Sequence, residues 1–91
     1  MFTIWTVEYD EIEDTMDVFD TASDTNLERA LAEAAIEIEE NAAAAVVFVT
    51  VGREGIDSEI VYAIDRFGKR GFTARQDGAP ITSWRTAVAA L

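Results

Sequence analysis

Ninety-one residues, 49% of them apolar and including two Trp, two Tyr and five Phe, suffice for a single core, so the net charge of −11 does not by itself signal disorder. A chain of this size buries about 60–65% of the surface it exposes when unfolded, which sets one domain over residues 1–91. With neither Cys nor His there is no disulfide, thiolate nucleophile, zinc–thiolate site or imidazole base, and every Ser-His or Cys-His dyad is excluded.

In chain order, Phe2 to Tyr9 is rich in β-branched and aromatic residues and predicts a strand, with Trp5 and Val7 turned inward. Asp10 to Asp14 is polar enough for a hairpin connection but lacks Gly, and Thr15 to Thr21 is the return strand, its alternation imperfect. Thr25 to Asn41 then predicts one amphipathic helix. Thr25 and Glu28 form a capping box at its start, and Asn41 supplies a left-handed close. Leu27, Ala30, Leu31, Ala34 and Ile38 make a stripe at 3, 4, 3, 4 spacing, with Leu31 expected at its centre.

Val46 to Val51 is an unbroken apolar strand of the kind found in the middle of a sheet. Arg53 to Asp57 supplies a turn with Gly55, and Glu59 to Asp65 is the next strand. Gly68 to Gly71 is a further turn, leaving Phe72 to Arg75 as a short fifth strand. Thr82 or Ser83 caps a final short helix through Leu91, with Trp84, Val88 and Leu91 on one stripe beside the main helix. The expected fold is α+β in ββαββ order: an antiparallel sheet of four to five strands with one main helix across one face and a short C-terminal strand and helix.

Charge divides the chain unevenly. From Met1 to Asp65 seventeen acids stand against Arg29 and Arg53, a net −15, whereas Arg66 to Leu91 has five cations against Asp77, a net +4. The first acidic cluster spans the hairpin and includes Asp10, Glu11, Glu13, Asp14 and Asp17; the second is the helical column Glu33, Glu37 and Glu40, assigned to the flank away from the apolar stripe. Like charges at i, i+4 cost a few tenths of a kcal/mol per pair, and acids near a helix C-terminus oppose its dipole. The hairpin lacks the central Gly of a calcium loop, so no metal site is assigned. A charged edge that deters pairing with other chains is the commonest use of such a cluster, and a docking surface for a basic partner is the sharper one. The basic group Arg66, Lys69, Arg70 and Arg75 has no phosphate-cradling loop, and a −11 chain repels phosphate, so direct nucleic-acid binding is not expected.

Val18 to Ala34, VFDTASDTNLERALAEA, runs from a strand through a short capped link into an Ala-rich helix. With its small size, its acidity and the lack of a catalytic set, the chain resembles in gross pattern the small phage-encoded inhibitors of host defence, such as anti-CRISPR proteins and DNA mimics. That resemblance carries over no individual residue; it implies stoichiometric binding in a host cytoplasm.

These readings converge on a non-enzymatic acidic protein without cofactor or metal. It would inhibit or adapt a basic, nucleic-acid-handling partner by occupying its groove, through Asp10, Glu11, Glu13, Asp14, Asp17, Glu33, Glu37 and Glu40. The alternative is a structural or assembly subunit acting as a homodimer or larger homo-oligomer through a sheet edge or the helix flank around Ile36. The N-terminus lacks a basic region and no apolar run reaches about 18–20 residues, which predicts neither signal peptide nor membrane span and a cytoplasmic location.

Overall fold

The computed structural model describes residues 1–52, 59–73, 75 and 77–91. Its elements are β1 (Phe2–Asp10), β2 (Thr15–Asp24), α1 (Leu27–Glu40), β3 (Ala44–Val51), β4 (Glu59–Asp65), β5 (Arg70–Phe72) and α2 (Trp84–Ala89). The five strands form one antiparallel sheet in the order β2-β1-β3-β4-β5, so the fold is α+β with one main helix against the sheet. The turn expected at Arg53 to Asp57 lies outside the described residues. No helix among the described residues is long and apolar enough to cross a membrane.

The apolar run of β3 explains the layering. In a strand, consecutive side chains face opposite ways. Val47 and Val49 therefore join Ile4, Ile64 and the α1 residues Ala30, Ala34 and Ile38 in one cluster. Val46 and Phe48 join Val7, Ile60 and Ala63 in another, on the reverse face. Two small residues in the α1 stripe, Ala30 and Ala34, are fully buried and let the helix lie close to the sheet.

The reverse face is covered by the C-terminal segment. Ile81, Trp84, Ala87, Val88 and Leu91 pack there, and the carbonyl of Ile81 accepts from the Ile60 N–H at 2.8 Å. Trp5 stacks on Phe48, ring centres 6.2 Å apart, and its indole N–H donates to Thr50 Oγ1 at 2.9 Å, so its one polar atom is satisfied. The short helix thus lies on the opposite face from α1 rather than beside it, because a sheet centred on a wholly apolar strand needs a cover on each side.

Other expectations shift by a few residues. The helix begins at Asn26, not at a Thr25 capping box: Asn26 Oδ1 accepts from the Arg29 N–H, while Asp24 accepts from the Asn26 N–H and pairs with Arg29 at 3.2 Å. Asn41 does end the helix, but with extended geometry (φ −96°, ψ 98°) rather than a left-handed close. The turn after β4 comes earlier than expected, because Asp65 Oδ1 accepts from the N–H groups of Phe67 and Lys69, and the fifth strand accordingly starts at Arg70 instead of Phe72. Leu31 packs against the core only partly buried; the fully apolar contacts of α1 centre on Ala30, Ala34 and Ile38.

Candidate protein-docking surface

The β1–β2 hairpin carries the first acidic cluster, and local chemistry builds its tip without glycine. Asp10 Oδ1 accepts from the N–H groups of Ile12 and Glu13, an Asx turn that starts the reversal. Asp14 closes it with φ 53°, in the left-handed region that Asp tolerates better than most residues. Its carboxylate accepts from the Tyr9 hydroxyl, which, with Glu11 and Asp10 nearby, holds the Tyr9 pKa above its ordinary value. Asp10, Glu11, Glu13, Asp14 and Asp17 are all exposed.

The second cluster divides. Glu33 and Glu40 are exposed as expected. Glu37 is not on the outward flank: half-buried, it reaches over the sheet, where Oε1 accepts from Thr6 Oγ1 at 3.3 Å and from Asn41 Nδ2 at 2.9 Å. The same Asn41 amide donates at 2.7 Å to Glu8 Oε2, and Asn41 Oδ1 accepts from the Ala43 N–H. Glu8 in turn sits directly opposite Asp17 in the β1–β2 register. A row of three acids, Asp17, Glu8 and Glu37, thus crosses β2, β1 and α1 on one face, and joins clusters that are separate in the sequence. Like charges directly opposite each other on neighbouring strands are destabilising.

Three of the cations, Arg29, Arg75 and Arg66, are used elsewhere, whereas Arg85 reaches Met16 of β2. Among the described residues, ion pairs join Arg29 to Asp24 and Arg75 to Glu59, and neither touches the hairpin tip or the acidic row. Both carboxyls are held below the ordinary carboxylate range, Asp24 mainly by the Asn26 N–H and Glu59 mainly by the Arg75 guanidinium. Arg66 serves the backbone: its guanidinium donates to the carbonyls of Ala44 at 2.8 Å and Ile38 at 3.0 Å and to that of Asn41. It closes the C-terminal end of α1, whose last turn has no basic residue of its own.

Apolar side chains missed as surface features complete the region. Every residue of β2 from Thr15 to Thr21 is exposed, Met16, Val18 and Phe19 among them. Beside the hairpin a cavity of about 540 Å³ is lined by Tyr9, Glu11, Ala42 to Val46, Asp65 to Phe67 and Val88, and Phe67 stands 92% exposed at its rim. A smaller one, about 250 Å³, lies between Glu33, Ile36 and Glu37 of α1 and Thr21 and Ala22 of β2. The imperfect alternation of Thr15 to Thr21 was the available sequence signal for the exposed strand.

Chemically, this surface offers carboxylates spaced along a hairpin, apolar contact between them and an open sheet edge; among the described residues no three carboxylates converge to hold a metal ion. Compared with known proteins, the chain matches no family model, no curated protein and no solved structure.

Proposed function

We propose that the protein is a non-enzymatic inhibitor or adaptor that presents its acidic hairpin to a basic, nucleic-acid-handling partner protein and occupies the groove that otherwise holds nucleic acid. The observation that carries this reading is the row Asp17, Glu8 and Glu37. It gives up stability by opposing like charges, continues into the exposed acids of the hairpin tip, and has no ion pair among the described residues. Carboxylates fixed on a rigid hairpin imitate the spaced charges of a phosphate backbone, attract a Lys/Arg-lined groove at long range and exclude its ligand by occupation. The reading agrees with what the resemblance to small phage-encoded inhibitors implies, including action in a host cytoplasm.

The test is capture of a basic partner from a cell lysate, identified by mass spectrometry and challenged with nucleic acid as competitor. Glu11→Lys/Asp17→Lys and Glu33→Lys/Glu40→Lys avoid Asp14, whose φ of 53° and bond from Tyr9 shape the hairpin tip, and Glu37, whose hydrogen bonds serve the fold. At least one pair should abolish capture while the melting temperature is kept, and added nucleic acid should displace the partner. Capture that survives both reversals, or a partner indifferent to nucleic acid, removes the proposal.

A further inference from the structure

The outer edge of β2 ends the sheet, and the direction of its free backbone groups follows from the neighbouring ladder. The Tyr9 N–H donates to the Ala43 carbonyl on the β3 side. Backbone groups alternate sides along a strand, so Val7 also faces β3, while Thr6 and Glu8 face β2. Their partners Phe19 and Asp17 point back at them, which leaves the N–H and C=O groups of Met16, Val18 and Asp20 aimed outward. The irregularity at Thr21 adjoins the end of this stretch, where Trp5 pairs with Asp20 and Ile4 with Ala22.

Side chains along this edge are unlike on the two faces. On the α1 face stand Asp17 and Phe19, the former beside Glu8. On the α2 face Met16, Val18 and Asp20 stand opposite Tyr9, Val7 and Trp5, with an Arg85 guanidinium nitrogen 3.7 Å from Met16 Sδ. From Asp10 to Asp24 the chain has seven acids and no Lys or Arg. Of these acids only Asp24 has an ion pair among the described residues, with Arg29, so a second copy paired along this edge would set two net-acidic hairpins side by side, which disfavours self-association.

We infer that β2 accepts, as a sixth strand, an extended cationic segment of a partner protein in which Lys or Arg alternates with apolar residues. Its cations would lie beside Asp17 on the α1 face, with their stems across Phe19, and its apolar residues beside Met16 and Val18 on the other. The backbone of Met16, Val18 and Asp20 supplies the hydrogen bonds, and the acids select the charge. The inference rests on the docking reading proposed above and names the form of the segment that docks.

A capped fluorescent peptide alternating Arg and Val is the probe, compared with a peptide of the same composition in which all Arg precede all Val, and with the alternating peptide N-methylated on every residue, which blocks both of its edges. The alternating peptide should bind, and both controls should bind about tenfold more weakly or worse. Val18→Pro removes one outward N–H at an edge position where Pro costs no ladder bond, and should weaken binding to a similar extent. As an internal check on the wild-type fold, the amides of Met16, Val18 and Asp20 should exchange rapidly when free and slowly with peptide bound, while those of Asp17 and Phe19 are protected throughout. Equal binding of the three peptides, abolished by Asp17→Lys, would overturn strand addition and leave docking by charge intact. Alternating-peptide binding indifferent to Asp17→Lys overturns the cationic occupant and counts against the docking reading as well. No binding of any peptide, or protection of the outward amides in the free protein with a concentration-dependent mass, overturns the inference outright, the last in favour of a second copy.

Discussion

β3 and β2 belong to one sheet with only β1 between them, yet they meet opposite surroundings. Val46, Val47 and Val49 are buried on both faces under α1 and the C-terminal segment, whereas Thr15 to Thr21 of β2 are exposed on both. Strand pairing is the same in kind; cover is what differs. β3 holds the fold together, and β2 hangs on its edge, where the core uses Ala22 but none of the apolar side chains Met16, Val18 and Phe19. Burial and exposure thus fall to different strands, which leaves the edge strand free to carry like charges that a core strand would not tolerate.

The sharpest way to break the contrast is from the buried side. Ile38→Ala empties a site under the sheet and should cost about 2–5 kcal/mol by urea denaturation. Arg66→Ala removes the guanidinium from three carbonyls, of which that of Asn41 keeps the Ala44 N–H, and should cost about 2 kcal/mol; Arg66→Lys should recover only part of it, since a compact ammonium does not span the three acceptors as a planar guanidinium does. On the exposed strand, Val18→Thr should change stability by no more than about 0.5 kcal/mol in the same assay. A loss above about 1 kcal/mol there would mean that β2 is covered after all.

The smallest expected effect is with pH. Asp24 and Glu59 have folded-state pKa values lowered below the unfolded carboxylate range, so their contribution is present above about pH 4 and lost as pH falls through the folded values. Melting temperature followed from pH 6 to pH 2.5 should therefore decline at the acid end. Arg75→Gln should make that decline shallower by removing the main cause of the shift at Glu59.

The elements were legible in the sequence because each rests on a local period or a local turn. The bounds of β4, Glu59 to Asp65, coincide with expectation, since an alternating apolar pattern starts and stops there. β3 begins earlier than Val46, at Ala44, where the pairing with β1 slips between Val7 and Glu8 and draws two alanines of high helix propensity into the ladder. The exposed acids of the hairpin were equally legible. Out of reach were features made by groups far apart in the chain: Glu37 turning to Thr6, Asn41 bridging Glu37 to Glu8, and a second cover on the reverse face. Periodicity reports which side of an element is apolar, and is silent on which distant donor meets a polar group at its margin.

The guanidinium of Arg66 has a bearing on how the chain folds. It lies 28 positions after Ile38 and 25 after Asn41, whose carbonyls it binds, and the last turn of α1 ends in Glu39 and Glu40, which oppose the helix dipole. The Asn41 N–H closes the helix locally on the Glu37 carbonyl, but the carbonyls of Ile38 and Asn41 gain the guanidinium only once β4 and its following turn are made. That share of the hydrogen bonding at the helix end rests on a contact of long sequence separation, whose closure costs more chain entropy than a local step.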